Sequence, residues 1–379
     1  MRNRHHETLL RHRLGRSHHD VAIIDGEGQL VAKKRITDDS TGFAELIEAL
    51  TAAGDSVDDP IPVAIETSRG LLVASLRATG RSVYAINPLA VARYRERHSV
   101  ARAKADHADA MTLANILRVD AHLHRRLPAD TELCRSIAVL ARAHQDAIWR
   151  RTKAHNELRS VLREFSPTFL AAFTSRFPLG IASPEARAVL AIAPTPAAAA
   201  KLSVTRIAAA LRRAGRSRNI DQTATEIRAD LRKPQLRQPV PVEVAMGVQV
   251  VALLAALDTA CNSVEDLGRA AAESFQKHSD YAIITSFPGL ADSTGARVLA
   301  EIGDDRSRFA DARALKAYAG SAPVTRASGK SVSIAHRRIK NDRLAAAGWI
   351  WAFAAATHCQ PAGEHYRRRR EHGDRHAAA

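Results

Sequence analysis

The sequence predicts an α/β domain followed by a mostly helical remainder, and three observations lead to this fold class. Between residues 18 and 128, short β-rich runs alternate with amphipathic segments, as in a sheet flanked by helices. From residue 129 onward, long Arg-rich stretches repeat apolar residues at helical spacing. Hydrophobic residues make up 46% of the 379 residues, enough for real cores. The formal net charge of +16 favours a polyanionic partner, with nucleic acid foremost.

The first domain, residues 14–128, is predicted from local turn and periodicity signals. Residues 18–36 have the pattern of a β-hairpin that turns at Asp25-Gly26. The hairpin is followed by a helix over 41–50, a strand over 61–65, a helix over 70–79 and a strand over 82–86. This last strand stops at Asn87-Pro88, a pair that favours a turn.

The rest of the chain is predicted to be helical. Two long helices, 131–165 and 242–277, are typical of a coiled-coil arm or the wall of a helical bundle. The stretch TSFPGLADSTGARVLAEIG (285–303) has the pattern of a helix-hairpin-helix, whose turn directs backbone N–H groups at a phosphate. The predicted parts are a helical coiled-coil region (129–278), a mostly helical C-terminal domain (279–365) and a basic tail expected to be disordered (366–379).

Cysteine usage and hydropathy favour a cytoplasmic, nucleoid-associated protein with no membrane partner. The cysteines Cys134, Cys261 and Cys359 lie far apart, without the spacing of a zinc site or a disulfide framework. The most apolar run, 244–257, is too short to span a bilayer, and the N-terminus lacks the apolar core of a signal peptide. Aromatic residues make up only 4%, which disfavours base-stacking platforms.

Three acids fall near the ends of elements in the first domain. Glu66 ends the strand over 61–65, where a carboxylate is costly unless it is paired or bound to a metal. Asp106 and Asp109 are three residues apart on a helix, so they share a face and repel unless a cation lies between them. Hard cations such as Mg²⁺ prefer oxygen ligands, and the pattern fits an RNase H-like metal site. The alternative is that the two aspartates only favour the positive end of the helix dipole.

Five stretches together resemble the transposases of the bridge-RNA-guided IS110 family of insertion sequences. They are LGRSHHDVAIIDGEGQLV, VAIETSRGLLVASLRATGRSVYAINP, AKADHADAMTLANILR, FPGLADSTGARVLAEIGD and RFADARALKAYAGSAPVTRASGK. The resemblance implies an RNase H-like (RuvC-like) domain, a coiled-coil insertion and a C-terminal transposase domain. It also implies that Glu66, Asp106 and Asp109 are the second, third and fourth acids of a Mg²⁺-binding DEDD tetrad, with Ser328 as the residue that attacks a DNA phosphate.

The implied function is Mg²⁺-dependent cleavage and exchange of donor and target DNA strands, guided by a structured RNA. The same analogy and the long helices suggest a homo-dimer or tetramer. A serine hydroxyl needs a base or a metal for activation, and the glycine after Ser328 lets the backbone approach a phosphate. Ser321 and Ser331 are competing candidates, and an ordinary loop serine is the alternative for Ser328. The expected nucleic-acid contacts are Arg326, Lys330, Arg337, Arg338 and Lys340.

One position departs from the family pattern. The family begins with a Gly-Ile-Asp strand that carries the first acid, and counting back from Leu14-Gly15 places Arg13 there. A cation at that position should weaken Mg²⁺ binding severely. Either this copy has decayed, or residues 1–13 come from a mis-assigned start and replace the true strand. Besides the recombinase, the sequence admits a catalytically inactive nucleic-acid-binding protein, a junction nuclease that does not need Ser328, and a helical scaffold.

Overall fold

The computed structural model describes residues 7–11, 18–98 and 106–376, with side chains for 18–96 and 109–376. The chain divides into two compact units, Met1–Ala129 and Asp130–Ala379. The elements of the first unit are β1 (Glu7–Arg11), β2 (His18–Ile24), β3 (Leu30–Thr37), α1 (Ser40–Ala52), β4 (Val63–Ile65), α2 (Leu71–Ala78), β5 (Val83–Ala85), α3 (Pro88–His98) and α4 (Asp106–Asp120).

A five-stranded mixed sheet in the order β3-β2-β1-β4-β5 forms the centre of the first unit. β1, β4 and β5 run parallel, while β2 is antiparallel to both of its neighbours. Alternate residues of the strands face opposite layers. Val63 and Ile65 lie in the core that includes residues of α1 and α2, whereas Ala64 lies in the core that includes α4.

The hairpin and the first helix form for local reasons that are visible in the sequence. Asp25 Oδ1 accepts the backbone N–H groups of Glu27 and Gln29 at 3.0 and 2.8 Å, which closes the turn between β2 and β3. Asp39 then caps α1 by accepting the Gly42 N–H at 2.8 Å. The predicted hairpin, the helix over 41–50, and the strand–helix–strand order from 61 to 86 are therefore confirmed, with small shifts at the ends.

The central strand β1 is missing from the sequence prediction, which begins the sheet at the hairpin. Its residues pair with β2 in the register Arg11↔Asp20 and with β4 in the register Leu10↔Ile65. One of the two explanations offered for Arg13 has residues 1–13 in place of a true strand, and Glu7–Arg11 of that segment form a strand. Tertiary pairing decides its structure, because a five-residue segment flanked by His and Arg has a weak local signal. Arg13 lies outside the described residues.

The second unit contains two long helices, several short ones and a β-ribbon. Its elements are α5 (Glu132–Phe165), α6 (Pro167–Thr174), α7 (Pro184–Ile192), α8 (Pro196–Ala200), α9 (Val204–Arg213), α10 (Ile220–Leu231), α11 (Val240–Phe275), α12 (Tyr281–Thr285), α13 (Asp292–Ile302), α14 (Ala312–Ala319), β6 (Val324–Ser328), β7 (Ser331–Ala335), α15 (Asp342–His358) and α16 (Gln360–Glu371). The tail that was predicted to be disordered from residue 366 is helical as far as Glu371.

The long helices α5 and α11 pack against each other in antiparallel orientation. Cys134, near the start of α5, shares a core with Phe275 at the end of α11. Leu162, near the end of α5, shares a second core with Val250 in the first half of α11. The helices α6 to α10 contribute to that second core, so the two long helices link two separate hydrophobic clusters.

In the described part of the chain, one helix, α11, is long and apolar enough to cross a membrane, by length and composition only. The apolar run 244–257 lies inside this longer helix, which continues on both sides of it. One side of α11 is buried, through residues such as Leu254 and Leu257. The other side exposes Val244, Val248 and Val251, whose relative exposures are 59%, 69% and 50%.

The predicted helix-hairpin-helix stretch forms a short helix (α12), a Pro-Gly turn and a longer helix (α13). Gly289 has φ +84°, and a Cβ added there would lie 2.6 Å from the backbone nitrogen of Ala355 in α15. Trp351 Nε1 donates a hydrogen bond to the carbonyl of Pro288 at 2.8 Å. The turn is thus packed against α15, and its predicted contact with a phosphate stays a prediction.

Candidate active site and nucleic-acid interface

Glu66 lies at the edge of the sheet where three parallel strands end. It directly follows β4, whose three residues are fully buried, and its own side chain is half-buried. β1 and β5 flank β4 and run in the same direction. In open sheets, the carboxyl ends of neighbouring parallel strands are the usual location of ligand sites.

The orientation of α4 brings its first turn to the same edge. Near the other end of α4, Arg118 Nη1 donates to the carbonyl of Gly26 in the hairpin turn at 3.4 Å. That turn follows β2, whose last residue, Ile24, pairs with Glu7 at the start of β1. The last turns of α4 therefore lie where β1 begins. The first turn, with Asp109, lies toward the edge where β1 and β4 end.

Asp109 is a buried carboxylate in an ion pair. It is 2% exposed, because α4 packs over the sheet through neighbours such as Ala110 and Leu113. Arg95 of α3 donates a hydrogen bond to Asp109 Oδ1. Sequence reasoning missed Arg95, since its partner is set by the packing of α3 on α4 and by no local motif. A guanidinium thus occupies one side of a carboxylate that was predicted to bind metal.

The remaining predicted acid is described only by its backbone. Asp106 is the first residue of α4, and its side chain lies outside the described residues. Carboxylates at the start of a helix are favoured by the helix dipole whether or not a metal is present. Both sequence interpretations of Asp106 therefore remain open.

Ser328 ends β6 and stands at the tip of an exposed ribbon. It pairs with Ser331 across a two-residue connection in which Gly329 has φ +55°. Glycine at the first position of such a turn meets the need for positive φ. Since side chains alternate along a strand, Arg326 shares the face of Ser328, and so does the cross-strand partner Ser331. This face is hydroxyl-rich, cationic and open to solvent.

The predicted nucleic-acid contacts fall into two groups. Arg326, Lys330 and Arg338 are exposed and have no hydrogen-bond or ion-pair partner among the described residues. Arg337 donates to the carbonyl of Ala322 at 3.2 Å. Lys340 pairs with Asp342 at 3.1 Å, and its methylene chain covers Gly320. The first group is available to a phosphate, whereas the second also fixes local structure.

A separate cluster in the second unit brings together Cys134, His278 and Asp304, whose ligand atoms lie within 4.8 Å of one another. Thr131 donates to Asp304 through its backbone N–H at 2.9 Å and its hydroxyl at 2.5 Å. His278 Nε2 lies 3.2 Å from the same carboxylate, and His278 Nδ1 accepts the Asp280 N–H. Burial, with the charge of Asp304, raises the pKa of the Cys134 thiol to about 12, so it stays protonated. We interpret the cluster as a structural link at the start of α5.

Comparisons with known proteins assign this arrangement to a family. A model described as a DEDD transposase of IS110 type matches residues 14–167, and one described as "Transposase IS116/IS110/IS902 family" matches 281–368. The mini-circle protein of IS117 from Streptomyces coelicolor, provisionally named a transposase, is 56% identical over 96% of this chain and 87% of its own length. The chain belongs to the IS110 family of insertion-sequence transposases.

More distant members span the same length. The 42 kDa protein of insertion element IS900 from Mycobacterium paratuberculosis is 28% identical over 96% of this transposase and 90% of its own length. The 44.8 kDa protein of IS116 from Streptomyces clavuligerus is 27% identical over all of this chain and 92% of its own. The first family match begins one residue after Arg13, so Arg13 lies just outside it.

Proposed function

We propose that this transposase cleaves and rejoins DNA strands with Ser328 as the nucleophile and with Mg²⁺ held by Glu66, Asp106 and Asp109. The observation that carries the proposal is the shared sheet edge, toward which both the end of β4 and the first turn of α4 point. A set of carboxylate oxygens suits a hard divalent cation. Such a cation would supply charge stabilisation for the phosphate in the transition state.

The exposed position of Ser328 on the ribbon supports the serine chemistry that the family resemblance implies. Its Oγ gives up its proton and forms a bond to a DNA phosphorus, while the phosphorus–oxygen bond to one sugar breaks. The departing sugar oxygen takes up a proton and leaves as a hydroxyl, and the phosphate stays linked to the serine. A hydroxyl from another strand reverses these steps and restores Ser328. Arg326, on the same face, and Lys330 neutralise phosphate charge during both transfers.

The mixed sheet supports an RNase H-like (RuvC-like) assignment for residues 14–128, extended here to β1. The antiparallel pair of α5 and α11 supports a coiled-coil region over 129–278, followed by a transposase domain over 279–365. The guide RNA rests on the family resemblance and the net charge of +16, and nucleoid association rests on DNA as substrate.

A homo-oligomer is supported by the exposed side of α11. Val244, Val248 and Val251 are spaced by four and three residues, which is the pattern of a coiled-coil seam. All three are more than a third exposed. We assign this valine stripe to contact with a second copy, in a dimer or tetramer.

Covalent capture tests the nucleophile. Full-length protein is incubated with Mg²⁺, the RNA of its element, and donor and target DNA, and a protease-sensitive protein–DNA adduct is measured. Because Arg13 stands where the family has an acid, the assay uses both the natural chain and Arg13→Asp, with the higher yield expected from the variant. Ser328→Ala should abolish the adduct, and Ser331→Ala, on the same face, is the matched control. An adduct that survives Ser328→Ala would refute the assignment.

A second candidate function is nucleic-acid binding without catalysis. Two observations favour it: Arg13 at the position of the first acid, and the ion pair between Arg95 and Asp109. This candidate predicts that Mg²⁺ does not raise the melting temperature of the chain, whereas RNA binding persists and weakens with salt. An increase in melting temperature on Mg²⁺ addition that is lost in Glu66→Gln would favour the catalytic candidate.

A further inference from the structure

A pocket of about 440 Å³ opens beside α5, far along the helix from the cluster at Cys134. One side is formed by Arg151, His155 and Arg159 of α5. The other side is formed by Thr174 of α6 and by residues 178–182. All of these residues belong to the second unit, and none of the side chains that line the pocket is acidic.

The three basic side chains lie on one face of α5, because they are four residues apart along the helix. In the described part of the chain, none of them has a hydrogen-bond or ion-pair partner. Arg151 and His155 are half-buried and Arg159 is exposed, so solvent screens the charge of Arg151 only in part. The two guanidinium charges and a protonated His155 would repel one another on this face unless an anion lies between them.

Three other cations in this region have acidic partners. Lys153, on another face of α5, lies 3.9 Å from Glu157. Arg176 pairs with Asp230 at 3.1 Å, and Arg187 pairs with Asp258. The pocket lining holds no carboxylate, which leaves the guanidinium donors of Arg151 and Arg159 available.

The pKa of His155 responds to the burial and to the charges around the pocket. Burial lowers the pKa of His155, and the charges of Arg159 and Arg151 lower it further. The side chain is therefore mainly neutral at pH 7. A bound anion would oppose both effects, because it offers the imidazolium a partner of opposite charge.

We propose that this pocket binds a phosphate group of the nucleic-acid backbone. The guanidinium N–H groups of the two arginines can donate hydrogen bonds to the oxygens of a phosphate, and Thr174 offers a hydroxyl. The volume falls in the usual range of ligand pockets, about 300–1,000 Å³, so it admits the neighbouring sugar as well as the phosphate. The choice of nucleic acid over a free phosphate compound rests on the proposed function and on the net charge of +16.

The first test uses inorganic phosphate as the probe and NMR of the histidine ring protons in the full-length protein, with His155→Gln to assign the His155 signal. Phosphate should shift this signal and raise the pKa of His155. The double variant Arg151→Gln/Arg159→Gln should abolish both effects. Lys153→Gln, which removes one exposed charge from the same helix, should leave them unchanged. A His155 signal that does not respond to phosphate, or a double variant that responds like the natural chain, would overturn the site.

The second test identifies the source of the phosphate. Binding of DNA duplexes and of the element's RNA is measured against salt concentration. Each phosphate contact that is lost should lower the slope of log K against log salt by about 0.7–0.9, and because the two arginines hold one phosphate, the double variant should lose about that amount for the nucleic acid that occupies the pocket. Unchanged slopes despite phosphate binding would overturn the nucleic-acid assignment. If the natural chain forms no covalent adduct but keeps its salt slopes, the proposed function is contradicted and the phosphate site is not.

Discussion

The turn at Pro288-Gly289 offers the sharpest test of the structure, because the two possible roles of Gly289, phosphate binding and close packing, predict different effects of a substitution. As a phosphate-binding turn, Gly289 would matter for nucleic-acid affinity. In the structure its role is close packing, since a Cβ would meet the Ala355 nitrogen at 2.6 Å. We therefore expect Gly289→Ala to destabilise the fold of the second unit and to leave nucleic-acid affinity of the folded protein nearly unchanged.

The magnitude follows from two contributions. An alanine at φ +84° costs about 1–2 kcal/mol relative to glycine. Relieving the overlap with the backbone of α15 is an overpacking cost of about 1–3 kcal/mol. The sum is about 2–5 kcal/mol. For a unit of this size, each kcal/mol lowers the melting temperature by roughly 2–4 °C, so a decrease of roughly 4–20 °C is expected.

The assay is thermal unfolding followed by circular dichroism, with salt-dependent DNA binding measured below the transition. Gly348→Ala is the matched control, because Gly348 lies in α15, against which Gly289 packs, but a Cβ added at Gly348 would meet no atom within 4 Å. Alanine there should stabilise the helix by up to about 1 kcal/mol. If Gly289→Ala melts like the natural chain and loses DNA affinity, the packing argument is wrong and the phosphate-binding turn is supported.

Two further perturbations test other parts of the second unit. Asp304→Asn should lower the free energy of unfolding by about 1–3 kcal/mol, because it weakens the two hydrogen bonds that Thr131 donates to this carboxylate. Burial raises the pKa of Asp304, but the hydrogen bonds that it accepts outweigh burial and lower the pKa overall. The stability that the ionised carboxylate contributes is therefore present above pH 3.8 and is lost as the pH falls further. In denaturant unfolding, the difference in unfolding free energy between the natural chain and the variant should shrink below that pH, and a constant difference would contradict the argument. Val251→Glu should shift the mass measured by light scattering toward that of the monomer without lowering the melting temperature. Val139→Glu, at an exposed valine on α5, should leave the mass unchanged. An unchanged mass for Val251→Glu would exclude the valine stripe as the interface.

The fold could be predicted wherever the signal was local. The Asp25-Gly26 turn identified the hairpin, and apolar periodicity identified α5 and α11 to within a few residues. Strand β1 could not be found in this way, because ETLLR gains its place from partners on both sides of the sheet. The packing of Gly289 against α15 was also invisible, since the two are distant in sequence.

The candidate site shows the same division. Glu66 at a strand end and Asp109 in the first turn of a helix were both predicted from local pattern, and the sheet topology brings these elements to one edge. Arg95 was missed because only the packing of α3 against α4 selects it from several arginines in that segment. The basic pocket was missed for a similar reason, since α5 is rich in arginine throughout and only the local lack of acids distinguishes this face.

The position of β1 has a consequence for anyone shortening this protein. In the described part of the sheet, the β2–β3 ribbon and the β4–β5 pair are joined only through that strand. Trimming the chain to residue 14, where the family match starts, would leave two separate two-stranded pieces, and an isolated pair of strands is marginal in water. Residues Glu7–Arg11 therefore join the two halves of the sheet, so a purification tag or a fusion partner belongs at the other terminus.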